Sequence, residues 1–182
     1  MFVARQLRKT NIAEYLLYMW QVEDLLRANH LDIDELATNV IARYPQLDDE
    51  QRAELTEWYT NLVEMMHHDG VEEAGHLQIN KNVVAELCDL HERLMHSTKF
   101  PYYHAAYYQV LPAIVELRAK SHRTAEPEIE TCFDALYGVW MLKLQQKPIG
   151  QETTEATQNI STFIGMLSDY FLKDNKGELS FE

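Results

Sequence analysis

The sequence predicts an all-α protein, a single-domain bundle of six to seven helices arranged mainly up and down. Three observations predict this fold class: the 182 residues include only six glycines and five prolines, β-branched runs are few, and apolar residues recur at a helical spacing. An apolar content of 46% is enough for one sizeable core. Because the predicted connections are short, we assign residues 1–172 to one domain and expect residues 173–182 to form a polar, disordered tail.

The first three helices are predicted from capping residues at their N-termini. Each begins at a capping residue with a side chain three positions later that can return a hydrogen bond: Asn11 and Glu14, Asp32 and Glu35, Asp48 and Gln51.

Stop signals and prolines delimit the remaining helices. Gly70 is predicted to end the third helix, Pro112 to bend the fifth, and Pro127 to lie in the first turn of the sixth. The predicted helices cover residues 11–29, 33–43, 48–69, 76–97, 101–122, 127–146 and 153–172.

The charge balance argues against two classes of partner. With 29 Asp and Glu against 16 Lys and Arg, the net charge is −13, and such a field repels phosphate backbones and anionic headgroups. We therefore expect neither nucleic acid nor a membrane surface as partner. No apolar run approaches the roughly 18 residues of a membrane span, and the N-terminus has no secretory pattern, so the predicted location is the cytoplasm.

Residues 11–28, with the sequence NIAEYLLYMWQVEDLLRA, carry a family resemblance that is most specific at YLLYMWQ followed by EDL. This stretch resembles the opening of a bacterial all-helical family of about this length, known only as a domain of unknown function. The resemblance implies a cytosolic helical bundle. It implies no activity, cofactor or site residue.

Glu23 is the first candidate site residue. Projection of its helix at about 100° per residue places it on a face with Leu16, Met19 and Trp20. A buried carboxylate is costly unless it is paired or protonated, so the projection predicts either a partner for Glu23 or a position at a cleft.

His91 is the second candidate, because it falls within the apolar stripe of its helix. Cys88 lies at the margin of that stripe, so the two residues are candidates for a pair of soft metal ligands. A zinc site needs two more ligands, and no comparable second pair is present. Since Cys88 and Cys132 form no CxxC motif, both are expected to be buried thiols rather than a disulfide.

The stretch FPYYHAAYYQVLP, residues 100–112, supplies further candidates. Projection places Tyr103, Tyr107 and Tyr108 on one packed face, with His104 and Arg118 on the same side. A candidate inward pocket then comprises Glu23, His91, His104, Tyr107, Tyr108 and Arg118. In the alternative interpretation these residues satisfy one another as a buried network, with Glu23 paired to Arg118 or to a tyrosine.

Two ExxH spacings are similar to the carboxylate and histidine pairs of di-iron bundles. Glu64 and His67 project to solvent, and Glu73 and His76 straddle a glycine-bearing helix start. Neither pair meets the requirement for two facing helices, so no di-iron centre is predicted.

Together these patterns favour a non-enzymatic interaction or small-ligand-binding protein, with cofactors unknown. The alternative is a metal-binding protein or metal-dependent enzyme that uses His91, Glu23 and His104. Nucleophile motifs and phosphate-binding glycine loops are missing from the sequence. Broad apolar faces on the helices at 127–146 and 153–172 are compatible with two arrangements, a homodimer through this hairpin or packing entirely within the chain.

Overall fold

A computed structural model describes residues 2–121 and 125–181, and in this part of the chain all regular secondary structure is helical, with no strand. It contains eight α-helices and one 3-10 turn, η1, which follows α3. Their bounds are α1 Phe2–Thr10, α2 Ile12–Ala28, α3 Ile33–Asn39, η1 Ile41–Arg43, α4 Asp49–Asp69, α5 Gln78–His96, α6 Pro101–Ser121, α7 Glu128–Leu144 and α8 Gln151–Asn175. The all-helical class is confirmed.

The described residues contain one helix more than the six to seven predicted. The additional helix is α1, in which Ala4 is the only buried residue. This helix has only nine residues, and Asn11 separates it from α2 by a single non-helical residue.

The predicted caps account for several helix ends. The Asp32 side chain accepts hydrogen bonds from the backbone N–H groups of Asp34 and Glu35 at the start of α3. At α4, Asp48 and Gln51 form a reciprocal capping box. Gly70 ends α4 with a φ of 65°, a left-handed conformation that glycine adopts without a steric penalty.

Several helix boundaries differ from the prediction, and α3 ends at Asn39 rather than at residue 43, with η1 after it. α5 begins at Gln78 rather than at residue 76, because the preceding residues bond to a side chain of α2 instead of starting the helix. α8 continues to Asn175, three residues beyond the predicted end at residue 172. The helix α6 continues through Pro112.

The chain divides into two compact units, and the boundary lies inside α5. The first unit comprises Met1–Thr10 and Glu14–Asn82, and its core contains Leu16, Trp20, Leu26, Leu36, Met66 and Leu77. The assignment of residues 1–172 to one domain stays a prediction.

The second unit comprises Asn11–Ala13 and Val83–Glu182, and in it α6, α7 and α8 pack against one another. The apolar faces predicted on α7 and α8 lie largely in its core, which includes Ile129, Cys132, Phe133, Ile160, Phe163, Ile164 and Leu167. Since packing within the unit already buries these side chains, the homodimer through the hairpin stays a prediction.

The segment after α8 makes contacts within the second unit. The Phe181 ring lies 5.5 Å from that of Phe100, and the Ser97 hydroxyl donates to the Phe181 carbonyl over 3.0 Å. Disorder of residues 173–182 stays a prediction. Among the helices of residues 2–121 and 125–181, each is too short or too polar to span a bilayer.

Candidate ligand-binding sites

Glu23 is fully buried in the first unit, and its carboxylate accepts three hydrogen bonds. His76 Nδ1 lies 2.6 Å from Oε2, while the Leu77 backbone N–H and the Asn80 side-chain amide donate to Oε1 over 3.0 and 2.7 Å. These donors offset the desolvation of the carboxylate. They come from the segment between α4 and α5 and from the first turn of α5, not from Arg118 or a tyrosine.

His76 is fixed on a second side by an aromatic ring. Its imidazole stacks on the Trp20 indole, with ring centroids 4.0 Å apart and the planes inclined by 13°. Trp20 and Glu23 are three residues apart on α2 and so share one face of the helix. The same face of α2 therefore makes two contacts with the imidazole: Trp20 stacks on the ring, and Glu23 is hydrogen-bonded to Nδ1.

Arg27 holds the same segment from one turn further along α2. Its guanidinium donates to the carbonyls of Val71 and Gly75 and forms an ion pair with Asp24. Glu23 thus accepts hydrogen bonds from the segment after α4, and Arg27 donates hydrogen bonds to the carbonyls of that segment. The arrangement positions residues 71–77 over α2.

Sequence reasoning missed His76 and Asn80 as partners of Glu23. The available signal was the short, glycine-bearing segment between two helices, which keeps its residues near the chain just before it. Because that segment has no periodicity, its side chains cannot be assigned to a face by projection. Asn80 Oδ1 is buried and has no hydrogen-bond partner among the described residues.

His91 lies in the second unit within an aromatic cluster. Its Nδ1 is 2.7 Å from the Tyr103 hydroxyl, and its ring contacts those of Tyr107 and Phe163 at centroid distances of 5.0 and 5.8 Å. Burial lowers the pKa of His91, and the negative charges of Glu128 and Glu92, which raise this pKa, offset the shift only in part. Burial also raises the pKa of the Tyr103 hydroxyl, so the pair is neutral near pH 7.

Tyr107 and Arg118 share a carboxylate that the sequence patterns did not single out. The Tyr107 hydroxyl donates to Glu128 Oε2 over 2.8 Å, and Arg118 Nη1 lies 3.7 Å from Glu128 Oε1. Burial, followed by the hydrogen bond to Glu128, raises the pKa of Tyr107 to about 12. Glu128 begins α7, where a carboxylate is favoured by the helix dipole.

The two remaining candidates differ in exposure. His104 Nε2 lies 2.9 Å from the Leu94 carbonyl, and its side chain is half-buried. The projection placed Tyr108 on the packed face, but its side chain is 63% exposed. The projection failed here because a helix presents residues at the edge of its stripe to solvent whenever no neighbouring helix covers that edge.

The two cysteines are free thiols. Burial raises the pKa of Cys88 to about 11 and that of Cys132 to about 12. In the described part of the chain, no three His, Cys, Asp or Glu side chains are grouped so that they would hold a metal ion. No described residue therefore completes a ligand set with Cys88 and His91.

A groove with a volume of about 560 Å³ lies between α6, α7 and α8 of the second unit. Each helix contributes one stripe at helical spacing, such as Thr131, Ala135, Gly138 and Leu142 on α7. The apolar part of the lining is formed by Ala113, Leu117, Ala135, Val139, Leu142, Ala156 and Ile160. This volume is in the range of small-molecule sites, which is roughly 300–1,000 Å³.

Gly138 keeps the wall of this groove open. A Cβ atom added at this position would meet no heavy atom within 4 Å. Glycine inside a helix costs roughly 1 kcal/mol relative to alanine, so the open wall is obtained at the expense of helix stability.

The described charged residues of the groove are mostly acidic. Four carboxylates line it against the single ammonium of Lys120, and they belong to Glu116, Glu126, Asp134 and Glu152. The pKa of Lys120 is raised, first by its hydrogen bond to Glu116 and also by the charge of Glu152. Acidic side chains therefore outnumber basic ones among the described residues that line the groove.

We expect acidification to destabilise the protein through His91. The pKa of His91 is lower in the folded state than its unfolded value near 6.5. The contribution of His91 to the free energy of unfolding is therefore present in full above pH 6.5. This contribution is lost as the pH falls through the lower, folded-state pKa. Urea unfolding at pH 7 and pH 5 should show a larger loss of stability for the wild type than for His91→Phe. Equal losses in the two proteins would contradict this expectation.

A family model described as Domain of unknown function (DUF4924) matches residues 1–178 of the chain. The match confirms the resemblance inferred from residues 11–28 and extends it over most of the sequence. No curated protein and no solved structure matches the chain.

Proposed function

The chain belongs to the DUF4924 family, and we propose that it is a non-enzymatic, cytoplasmic small-ligand-binding protein. The ligand site is the groove between α6, α7 and α8. The observation that carries the proposal is the combination of an apolar lining, a volume of about 560 Å³ and a predominantly acidic set of charged residues. These features fit a small amphipathic molecule with a hydrocarbon body and one cationic group.

The hydrocarbon body accounts for the affinity in this proposal. Transfer of each buried CH₂ group from water contributes about 0.8 kcal/mol, so a ligand gains affinity with chain length until the groove is filled. The cationic group accounts for selectivity, because the carboxylates favour an ammonium over a neutral hydroxyl group of similar size.

The six residues predicted from the sequence offer a less suitable site. His91, His104, Tyr107 and Arg118 each have at least one polar atom already bonded to a protein group, so a ligand would compete with those contacts. Glu23 has three donors of its own in the first unit. No observation favours the metal-dependent alternative among the described residues.

Primary alkylamines of increasing length test the proposal, with alcohols of equal length as neutral references. We expect calorimetric titration to show affinity that rises with chain length, and amines that bind roughly tenfold more tightly than the alcohols. Gly138→Leu should abolish binding, since its side chain enters the groove.

Gly165→Leu is the matched control. Gly165 is also a helical glycine with open space at its Cβ position, but it lies on α8 outside the groove. Binding that survives Gly138→Leu, or that Gly165→Leu abolishes equally, would refute the groove as the site. Equal affinity for amines and alcohols would refute the cationic group.

A further inference from the structure

The first unit has a groove of its own, with a volume of about 400 Å³. It lies between α1, α2 and α4, and the first turn of α5 contributes Ile79. Its lining residues on α1 and α4 include two arginines and two glutamates, whereas the charged residues of the groove in the second unit are mostly acidic. The two grooves therefore suit different ligands.

The charges of this groove are separated by sign onto its two walls. α1 presents Arg5 and Arg8 at an i, i+3 spacing, and α4 presents Glu54 and Glu57 at the same spacing. The side chains of Arg5, Glu54 and Glu57 make no hydrogen bond or ion pair with other described residues. Each wall thus carries two like charges one turn apart, which repel each other, and the opposite wall does not neutralise them.

Arg8 is the oriented member of the arginine pair. Its Nη1 lies 3.4 Å from the Tyr15 hydroxyl, and its guanidinium carbon is 5.4 Å from the centroid of the Tyr15 ring. Tyr15 is only 4% exposed, so its ring is a fixed support for the guanidinium. A guanidinium held in this way presents its remaining N–H groups to a carboxylate.

Between the charged walls the groove is apolar and partly aromatic. Met19 and Leu62 are buried, and Trp58 is half-buried beside the two glutamates. An indole with one accessible side provides contact area for an aliphatic or aromatic side chain. Asn61 adds an amide that can bond to a peptide group.

We propose that this groove binds a short peptide with free termini, about two or three residues long. The C-terminal carboxylate binds between Arg5 and Arg8, the N-terminal ammonium binds between Glu54 and Glu57, and the side chains pack on Trp58 and Met19. Such a zwitterion removes the repulsion on both walls at once, which a single anion or a single cation cannot do. This site is independent of the amine site in the second unit.

The probe is the dipeptide leucyl-leucine at neutral pH, with its N-acetylated and C-amidated forms as references. Calorimetry should give a dissociation constant below about 1 mM for the free dipeptide and at least tenfold weaker binding for each blocked form. Arg5→Ala should weaken the free dipeptide about tenfold and leave the amide unchanged. Glu57→Gln should weaken the free dipeptide and leave the acetylated form unchanged.

Two exposed residues on the same helices are matched controls. Lys9 on α1 and Glu50 on α4 do not line the groove, so Lys9→Ala and Glu50→Gln should bind as the wild type does. Binding must also survive Gly138→Leu, which separates this site from the proposed amine site. The proposal is overturned if the free dipeptide does not bind, if blocking the termini has no effect, or if a control variant weakens binding as much as its partner variant.

Discussion

Replacement of Glu23 by alanine is expected to lower the free energy of unfolding by about 3 kcal/mol. The carboxylate accepts hydrogen bonds from His76, the Leu77 amide and Asn80. Leu77 and Asn80 are fully buried, so their donors lose a partner that water cannot readily replace. Urea unfolding followed by far-ultraviolet circular dichroism measures the loss.

The control for this substitution is Glu64→Ala, which removes an exposed glutamate from α4 of the same unit and should cost no more than about 0.5 kcal/mol. Glu23→Gln retains one acceptor oxygen and should give an intermediate loss. Hydrogen exchange adds a local measurement, because the Leu77 amide should exchange faster in Glu23→Ala than in the wild type. A loss for Glu23→Ala no larger than that for Glu64→Ala would show that the carboxylate does not hold residues 71–77.

Phe163→Ala should destabilise the second unit by about 3–5 kcal/mol. Phe163 is fully buried on α8, and its ring lies 5.2, 5.8 and 5.9 Å from those of Tyr103, His91 and Tyr107. Truncation removes apolar contact and leaves a cavity among three large rings that cannot collapse without breaking the His91–Tyr103 hydrogen bond. The midpoint and slope of urea unfolding are the measurement.

Tyr108→Ala is the matched control for Phe163→Ala. The two aromatic residues have similar volume, but Tyr108 is 63% exposed, so its truncation should cost roughly 1 kcal/mol or less. The sequence projection placed Tyr108 on the packed face and the structure exposes it. Similar losses in the two variants would favour the projection, whereas a large difference would favour the observed burial.

Helix positions were predictable from local chemistry. Capping at Asp32, the capping box of Asp48 with Gln51 and the left-handed Gly70 involve residues within a few positions of one another, so the sequence alone specifies them. The helix α1 was missed because the sequence shows no capping pair at its start and its nine residues bury only Ala4.

Individual side-chain environments were predictable in part. Projection identified Glu23 and His91 as inward-facing polar residues, and the structure buries Glu23 fully and His91 partly. Projection did not identify the partners, because it assigns directions within one helix and contains no distance between elements. His76 and Glu128 were therefore identified only by the structure.

By itself the sequence determined the all-helical class, the approximate position of most helices, the acidic charge and the inward direction of the carboxylate at position 23, which needed either a partner or a cleft. The tertiary structure alone decided which residues satisfy that requirement, which tyrosines are covered and where the two grooves lie. The physical reason is the separation along the chain of the residues that interact. Caps and helical periodicity act over a few residues of chain, whereas a groove such as that beside Gly138 exists only where side chains from three packed helices leave space between them.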